Sequence, residues 1–212
     1  MTHNVLLVLD GLVHPTLAGR LWLEHRLRSL PGYAFRRASS LEALTRNSPE
    51  QVDALVLYYH HKTISAPALA AFESYVRAGG GVVAVHSASA SFKSTPRYFE
   101  ILGGRFVKHG PIEEFELRPV NSDSTGGSDG AAGPCMDGIP AFSIRDELYR
   151  HEYDPRVAVH FTTGGEPFAW SHRVGAGRLF YLAAGHTLSA VANLHVQEIL
   201  RRGLAWACGA AR

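Results

Sequence analysis

Three short runs of the chain are almost purely aliphatic: Val5-Leu6-Leu7-Val8-Leu9, Ala54-Leu55-Val56-Leu57-Tyr58 and Val82-Val83-Ala84-Val85. A strand with one wet face alternates apolar and polar residues, whereas a run that is apolar throughout needs cover on both faces. Helical spacing fills the gaps between these runs. Leu17, Leu21, Leu23 with Trp22, Leu27 and Leu30 recur near every third or fourth position, Pro15 is placed to open that helix, and Pro31-Gly32 stops it. Ile64 to Ala78 reads as a second helix with Ser65 as its N-cap and Pro67 in its first turn. Tyr33 to Arg37 is a short extra strand, Ser39-Ser40-Leu41-Glu42 can cap a brief helix, and Pro49 starts a turn. The first 90 residues therefore alternate strand and helix three times, the pattern of a doubly wound parallel sheet with right-handed crossovers.

The second half predicts antiparallel additions to that sheet. Pro96 to Leu102 reads as a helix closed by Gly103-Gly104, and Glu113 to Val120 alternates as an exposed strand does. Asn121 to Gly133, rich in Gly, Ser and Asp, reads as a surface loop, and Ile139 to Ile144 as a turn or short helix. Strands are expected at Arg156 to Phe161 and at Pro167 to Val174. A hairpin turn at Gly175-Ala176-Gly177-Arg178 leads into Leu179 to Ala183. Ser189 to Ala207 is the closing helix, with Val191, Leu194, Ile199, Leu200, Leu204 and Trp206 as its apolar stripe. Nothing marks a boundary, so one domain over residues 1–212 is expected.

Composition excludes several partners. Hydrophobic residues make up 46% of the chain and charged ones 19%, which suits a packed core. A formal charge of +2 offers no basic stripe for nucleic acid. The N-terminus runs into a strand without a secretory pattern, and no run approaches the roughly 20 apolar residues of a membrane span. Cys135 and Cys208 are far apart and unpatterned, so neither a disulfide framework nor a zinc knuckle is indicated. The cytoplasm is the expected compartment, and self-association stays open.

The chemistry is concentrated at strand ends. Gly79-Gly80-Gly81 offers a helix C-terminus able to take positive φ, and the strand that follows stops at His86-Ser87. Of 12 histidines, His14, His60, His61, His86 and His186 all fall just after predicted strands. In an open parallel sheet those carboxyl ends form one edge, where ligands bind. Three uses fit such a cluster. Neutral imidazoles can bind a divalent transition metal, with Asp10, Asp146 or Glu147 supplying oxygen. One histidine can serve as a general base. Or the rings can hydrogen-bond a polyhydroxylated ligand. Ser87 lacks a GxSxG context, both cysteines lie elsewhere, and no GxGxxG follows the first strand, so nucleophilic and dinucleotide readings are weak. Tyr98, Tyr149 and Trp170 offer flat apolar faces for a sugar, or else belong to the core.

An ordered series of blocks resembles the ThuA-like, trehalose-utilisation family. It comprises Gly79 through His86, Tyr98 through Phe106 with His109, Asp146-Glu147-Leu148-Tyr149 and Pro167-Phe168-Ala169-Trp170. Gly175 through Tyr181, Gly185-His186 and Arg202 through Ala207 complete it. The resemblance implies a flavodoxin-like fold of the class I glutamine-amidotransferase type, mostly parallel with antiparallel additions in the C-terminal half. It puts His86 where those amidotransferases carry the nucleophilic cysteine, and Gly185-His186 on the segment bearing their catalytic histidine. Gly133-Pro134-Cys135-Met136 departs from the His-Pro-Ile-Thr of relatives. Disaccharide or keto-sugar metabolism is the implied role, with a small carbohydrate as partner. His86, His186 and Glu147 are then the expected catalytic groups, and Asp10, His14, His60, His109, Tyr149 and Trp170 the expected sugar contacts. His86, His109 and His186 are the expected ligands of any divalent metal. A non-catalytic sugar-binding or regulatory protein and a metal-dependent hydrolase are the alternatives.

Overall fold

A computed structural model describes residues 2–46, 52–120 and 133–209. Nine strands form one sheet: β1 (His3–Leu9), β2 (Tyr33–Ala38), β3 (Ala54–Tyr58), β4 (Gly81–Val85), β5 (Gly104–Pro119), β6 (Phe142–Tyr153), β7 (Ala158–Thr163), β8 (Glu166–Val174) and β9 (Gly177–Leu182). Their order is β2-β1-β3-β4-β9-β8-β7-β5-β6. The first five in that order run parallel, and every pairing after β9 is antiparallel. Every residue of β3 and β4 is buried, as their unbroken apolar runs require. The helices are α1 (Leu17–Arg28), α2 (Ala66–Arg77), α3 (Pro96–Leu102), α4 (Leu188–Ala192) and α5 (Leu194–Ala207). Contacts join α1 to α4 and α4 to α5, and separately α2 to α3. No helix among the described residues is long and apolar enough to cross a membrane.

Several local expectations change. Pro15 does not open α1: it precedes the N-cap Thr16, whose hydroxyl accepts from the Gly19 amide, and the His14–Pro15 peptide is cis. Leu17 and Leu21 are exposed, and the buried side of α1 is Gly19, Leu23 and Leu27. The closing helix is two helices, because Asn193 ends α4 and caps α5, its side chain accepting from the His195 and Val196 amides. Leu194 is consequently turned out to solvent, and Val196, Gly203 and Ala207 join Ile199, Leu200 and Leu204 in the buried stripe. Residues 142–144 begin β6 rather than a helix, since they pair with residues 115–117 of β5. The turn at Pro49 and the loop at 121–132 lie outside the described residues.

The three glycines before β4 divide their labour. Gly79 alone takes a positive φ, 116°. Gly80 lies against the Tyr75 ring and Gly81 against the Ala207 carbonyl, approaches that a Cβ would block. That seam ties the C-terminal end of α2 and the N-terminal end of β4 to the end of α5. The opposite, C-terminal rim of the parallel sheet is left open for the loops.

Candidate functional site

Register explains why distant histidines meet. Val85 pairs with Leu182 at the ends of β4 and β9, so the residues after them emerge side by side: His86 from one strand, Ala183 through His186 from the other. Leu9 likewise pairs with Tyr58, which brings the loop carrying His14 beside His60 and His61. The β5–β6 hairpin adds a further wall, because Tyr149 sits opposite His109 and Glu147 opposite Ile112. Register shifts around Val107 and Gly110-Pro111 interrupt β5 here, and such bulges re-aim side chains.

One ligand-capable atom from each of His14, His86, Glu147 and His186 lies within 4.8 Å of the other three. Glu147 Oε2 is 3.3 Å from His186 Nδ1 and 3.7 Å from His86 Nε2, and its Oε1 is 3.6 Å from His109 Nδ1. The rings of His14 and His186 are 4.9 Å apart, and those of His86 and His186 5.9 Å. His86 is wholly buried, Glu147 nearly so, and His14 and His186 half-buried.

The surroundings fix these groups. His86 Nδ1 lies 2.8 Å from the Ala183 carbonyl, which can only accept, so Nδ1 carries the proton and Nε2 of the neutral ring presents a lone pair to the cluster. His86 is one of two non-glycine residues of positive φ among the described residues, at 46°, the strained turn of a strand that stops abruptly into the 3₁₀ turn at 86–90. Its carbonyl accepts from Ser89 Oγ and Tyr181 Oη, each at 3.0 Å. Asp146, fully buried, accepts the amides of Gly185 at 2.8 Å, His186 at 3.3 Å and Thr187 at 2.8 Å, and so holds the backbone that carries His186. Gly185 has a φ of 156°, and a Cβ there would stand 2.6 Å from that of His86. Only glycine lets these two segments approach so closely.

Charge is set by the same packing. Burial works against the Glu147 carboxylate, but the imidazoles of His86, His186 and His109 outweigh it and hold the acid below its usual range. Burial lowers His186, helped by His86 and His14 and opposed by Glu147, so its ring is held neutral near pH 7. His60 is lowered by burial, His14 and Lys93.

At the mouth, Tyr149 lies under the cluster, its ring 4.0 Å from that of His86 and 4.3 Å from that of Phe106. Phe106 is half-buried, His60, His109 and Lys93 are exposed, and the Lys93 ammonium is 5.6 Å from the centre of the Phe106 ring. Three of these roles escape sequence reading. Lys93 belongs to no motif, Phe106 stands in a family block without an expected contact, and Asp146 reads as an oxygen donor whereas its oxygens serve the backbone.

Other expected contacts lie elsewhere. Trp170 is a core residue and not a sugar face: it is completely buried, stacks on Tyr181 and donates its indole N–H to the Leu102 carbonyl. Tyr98 is equally buried, bonded to the Ala88 carbonyl and to Tyr59. Asp10 is engaged by His61 at 2.9 Å, with Arg20 3.7 Å away, and stands outside the cluster. His109 also falls outside the ligand set, because its Nδ1 donates to the Gly110 carbonyl at 2.7 Å. His60 is reached through His14, the two rings 6.1 Å apart edge to face. Cys208 caps α5 at the N-terminal edge of the sheet, with its thiol pushed up to about 12 by burial, and Cys135 is exposed with its carbonyl beside Arg202. Neither thiol serves the elbow at His86.

A family model described as ThuA, trehalose utilisation, matches residues 5–207. Among solved structures, a protein described as ThuA-like from Parabacteroides merdae superposes with a TM-score of 0.83 at 18% identity, over 98% of this chain and 90% of that one. A second, from Bacteroides uniformis, gives 0.74 at 16% identity, over 97% and 91%. A β-galactosidase from a Rahnella species gives 0.60 at 14% identity, over 100% of this chain but 32% of that one. At these identities the likeness is one of fold. No curated protein matches the chain by sequence.

Proposed function

The chain belongs to the ThuA, trehalose-utilisation family, and from that premise we propose that it is a carbohydrate-metabolism enzyme working on a disaccharide or keto-sugar in the histidine-lined hollow of the rim. The observation that carries this reading is the convergence of His14, His86, His186 and Glu147 beside a half-open aromatic mouth. The order β2-β1-β3-β4-β9 of the parallel strands supports the flavodoxin-like, amidotransferase-like form of the fold, in which ligands gather at that edge. A cytoplasmic setting suits a chain with two free cysteines.

In this reading Phe106 packs against the C–H face of a sugar ring, while His60, His109 and Lys93 offer hydrogen bonds to its hydroxyls. His86 and His186 do the acid–base or metal work, and the Glu147 carboxylate orients one imidazole or takes a hydroxyl of the substrate. Asp146 keeps the His186 ring in place through the backbone. An imidazole in place of a thiol at the elbow removes thiol-based acyl-enzyme chemistry.

The test is calorimetry and turnover with trehalose, sucrose and their 3-keto forms. Turnover of at least one, reduced about 10²- to 10⁴-fold in His86→Ala and His186→Ala, is expected. Full turnover in both variants would overturn the assignment. Binding without turnover across the panel would favour the non-catalytic alternative, which the missing nucleophile recommends.

A further inference from the structure

Four buried ligand-capable atoms at the rim lack a hydrogen-bond partner among the described residues. They are His14 Nδ1, His86 Nε2, Glu147 Oε2 and His186 Nδ1. Native interiors seldom tolerate one orphaned polar atom, and four converging on one point need a cause. Bonding within the group is not that cause. The 3.3 and 3.7 Å separations from Glu147 Oε2 exceed the roughly 2.7–2.9 Å of a charge-assisted N–H···O bond.

The same separations do match ligands around a shared cation. With metal–ligand bonds of about 2.1 Å, neighbouring ligand atoms lie about 3.4 Å apart in a tetrahedron and about 3.0 Å in an octahedron, and opposite ones about 4.2 Å. One ligand atom from each of the four residues lies within 4.8 Å of the others, so small side-chain shifts bring the set onto an ion. Three imidazoles and one carboxylate select a borderline cation over magnesium or calcium, which prefer oxygen alone. The outer shell is also that of a metal site. His86 donates its other ring N–H to the Ala183 carbonyl, and Asp146 fixes the backbone of His186.

We propose that His14, His86, Glu147 and His186 bind one divalent first-row transition-metal ion of the zinc class, with a coordination position left open towards the mouth. The half-exposure of His14 and His186 is what leaves that side open. Any part the ion plays in sugar chemistry rests on the function proposed above, but its binding does not.

The experiment strips the full chain with a chelator, returns Zn²⁺, and measures stoichiometry by elemental analysis and affinity by calorimetry. One ion per chain is expected. Its dissociation constant should rise at least about 100-fold in each of His86→Ala, Glu147→Ala and His186→Ala, and stay within about threefold in His109→Ala. Folding of each variant is checked by circular dichroism. Cobalt in the wild-type protein provides a second reading that needs no variant, through visible absorption of a nitrogen–oxygen site of four or five ligands. No stoichiometric uptake of zinc, manganese, iron, cobalt or nickel overturns the proposal, and so does uptake that all three alanine variants retain. Sugar calorimetry on stripped and loaded protein separates the two ideas. An ion bound without any sugar leaves the metal site standing and sinks the sugar reading, and sugar bound by a chain that takes no ion does the reverse.

Discussion

Buried histidines occur in two regions of this molecule, and their partners differ. In the antiparallel half, His160 is closed in between β7 and β8 with its Nε2 2.8 Å from Ser171 Oγ, and burial lowers its pKa to about 4. His151 nearby bonds Tyr181 and Ser89 through Nε2, under the edge of Trp170, and burial lowers it to about 3. At the rim, three imidazoles and a carboxylate each keep one buried atom without a hydrogen-bond partner among the described residues. A histidine that serves the fold is neutral and paired with a hydroxyl. One that serves a ligand leaves a nitrogen unspent, at a cost to the fold. His151 shares both traits, since its Nδ1 is also without a hydrogen-bond partner among the described residues, and it meets the site through the Ser89–Tyr181 pair that grips the His86 carbonyl and through the Tyr149 ring, 6.0 Å away.

Four measurements test that contrast. The largest effect is expected from Trp170→Ala, which empties the centre of the interior region: a loss of about 4 kcal/mol in denaturant unfolding at pH 7.5. If Trp170 were instead a sugar platform, affinity would fall while stability held. Next comes acid. His160 has a folded pKa of about 4 against about 6.5 when unfolded, so the unfolded chain takes the proton first as pH falls. Its contribution is whole above pH 6.5 and is lost on the way down to pH 4, about 3 kcal/mol in all. His151, lowered to about 3, adds a loss of the same sign over the same range, so unfolding at pH 7.5 and 4.5 should show the sum of the two and His160→Gln should remove about half of it. An unchanged slope in the variant would place the acid-sensitive group elsewhere.

Asp146→Asn crosses from one region to the other. It weakens the acceptor for three amides, and a destabilisation of about 2 kcal/mol is expected, with hydrogen exchange accelerated at Gly185 through Thr187 before the rest of the sheet. Uniform acceleration would mean that the carboxylate is merely a core acceptor. The smallest shift is predicted for His186→Leu in chelator-treated protein. Removing an unsatisfied nitrogen should leave stability within about 0.5 kcal/mol of wild type, or raise it. A loss as large as that for a core histidine would mean that the ring is structurally paired after all.

Much of the architecture is legible in the chain because the signals are local. Unbroken apolar runs at 54–58 and 82–85 can only be strands covered on both faces, and Ser65 with Pro67 marks the start of α2. Strand ends are legible for the same reason, which is why His86 and His186 can be placed on one edge. Where local signals compete, reading fails. Asn193 is an ordinary polar residue in a helical run until its side chain turns to cap α5. Trp170 sits in a motif, yet the ring packs inward because Tyr181 lies flat beneath it.

Sequence alone determined the alternation of strands and helices through α3, the absence of a thiol at the elbow, and the delivery of imidazoles to a common edge, while β6 and the break at Asn193 escaped it. Tertiary structure alone decided which of them act together. His14 rather than His61 enters the cluster, Asp10 is drawn off by His61 and Arg20, and two adjacent carboxylates of β6 part company, Asp146 to the backbone and Glu147 to the rings. Periodicity fixes the face and the end of an element, because those depend on residues a few positions apart. The direction of a loop, and the lie of a hairpin from far along the chain across that edge, depend on contacts between residues far apart in sequence, such as Thr16 and His186, 170 positions apart, which no local pattern records.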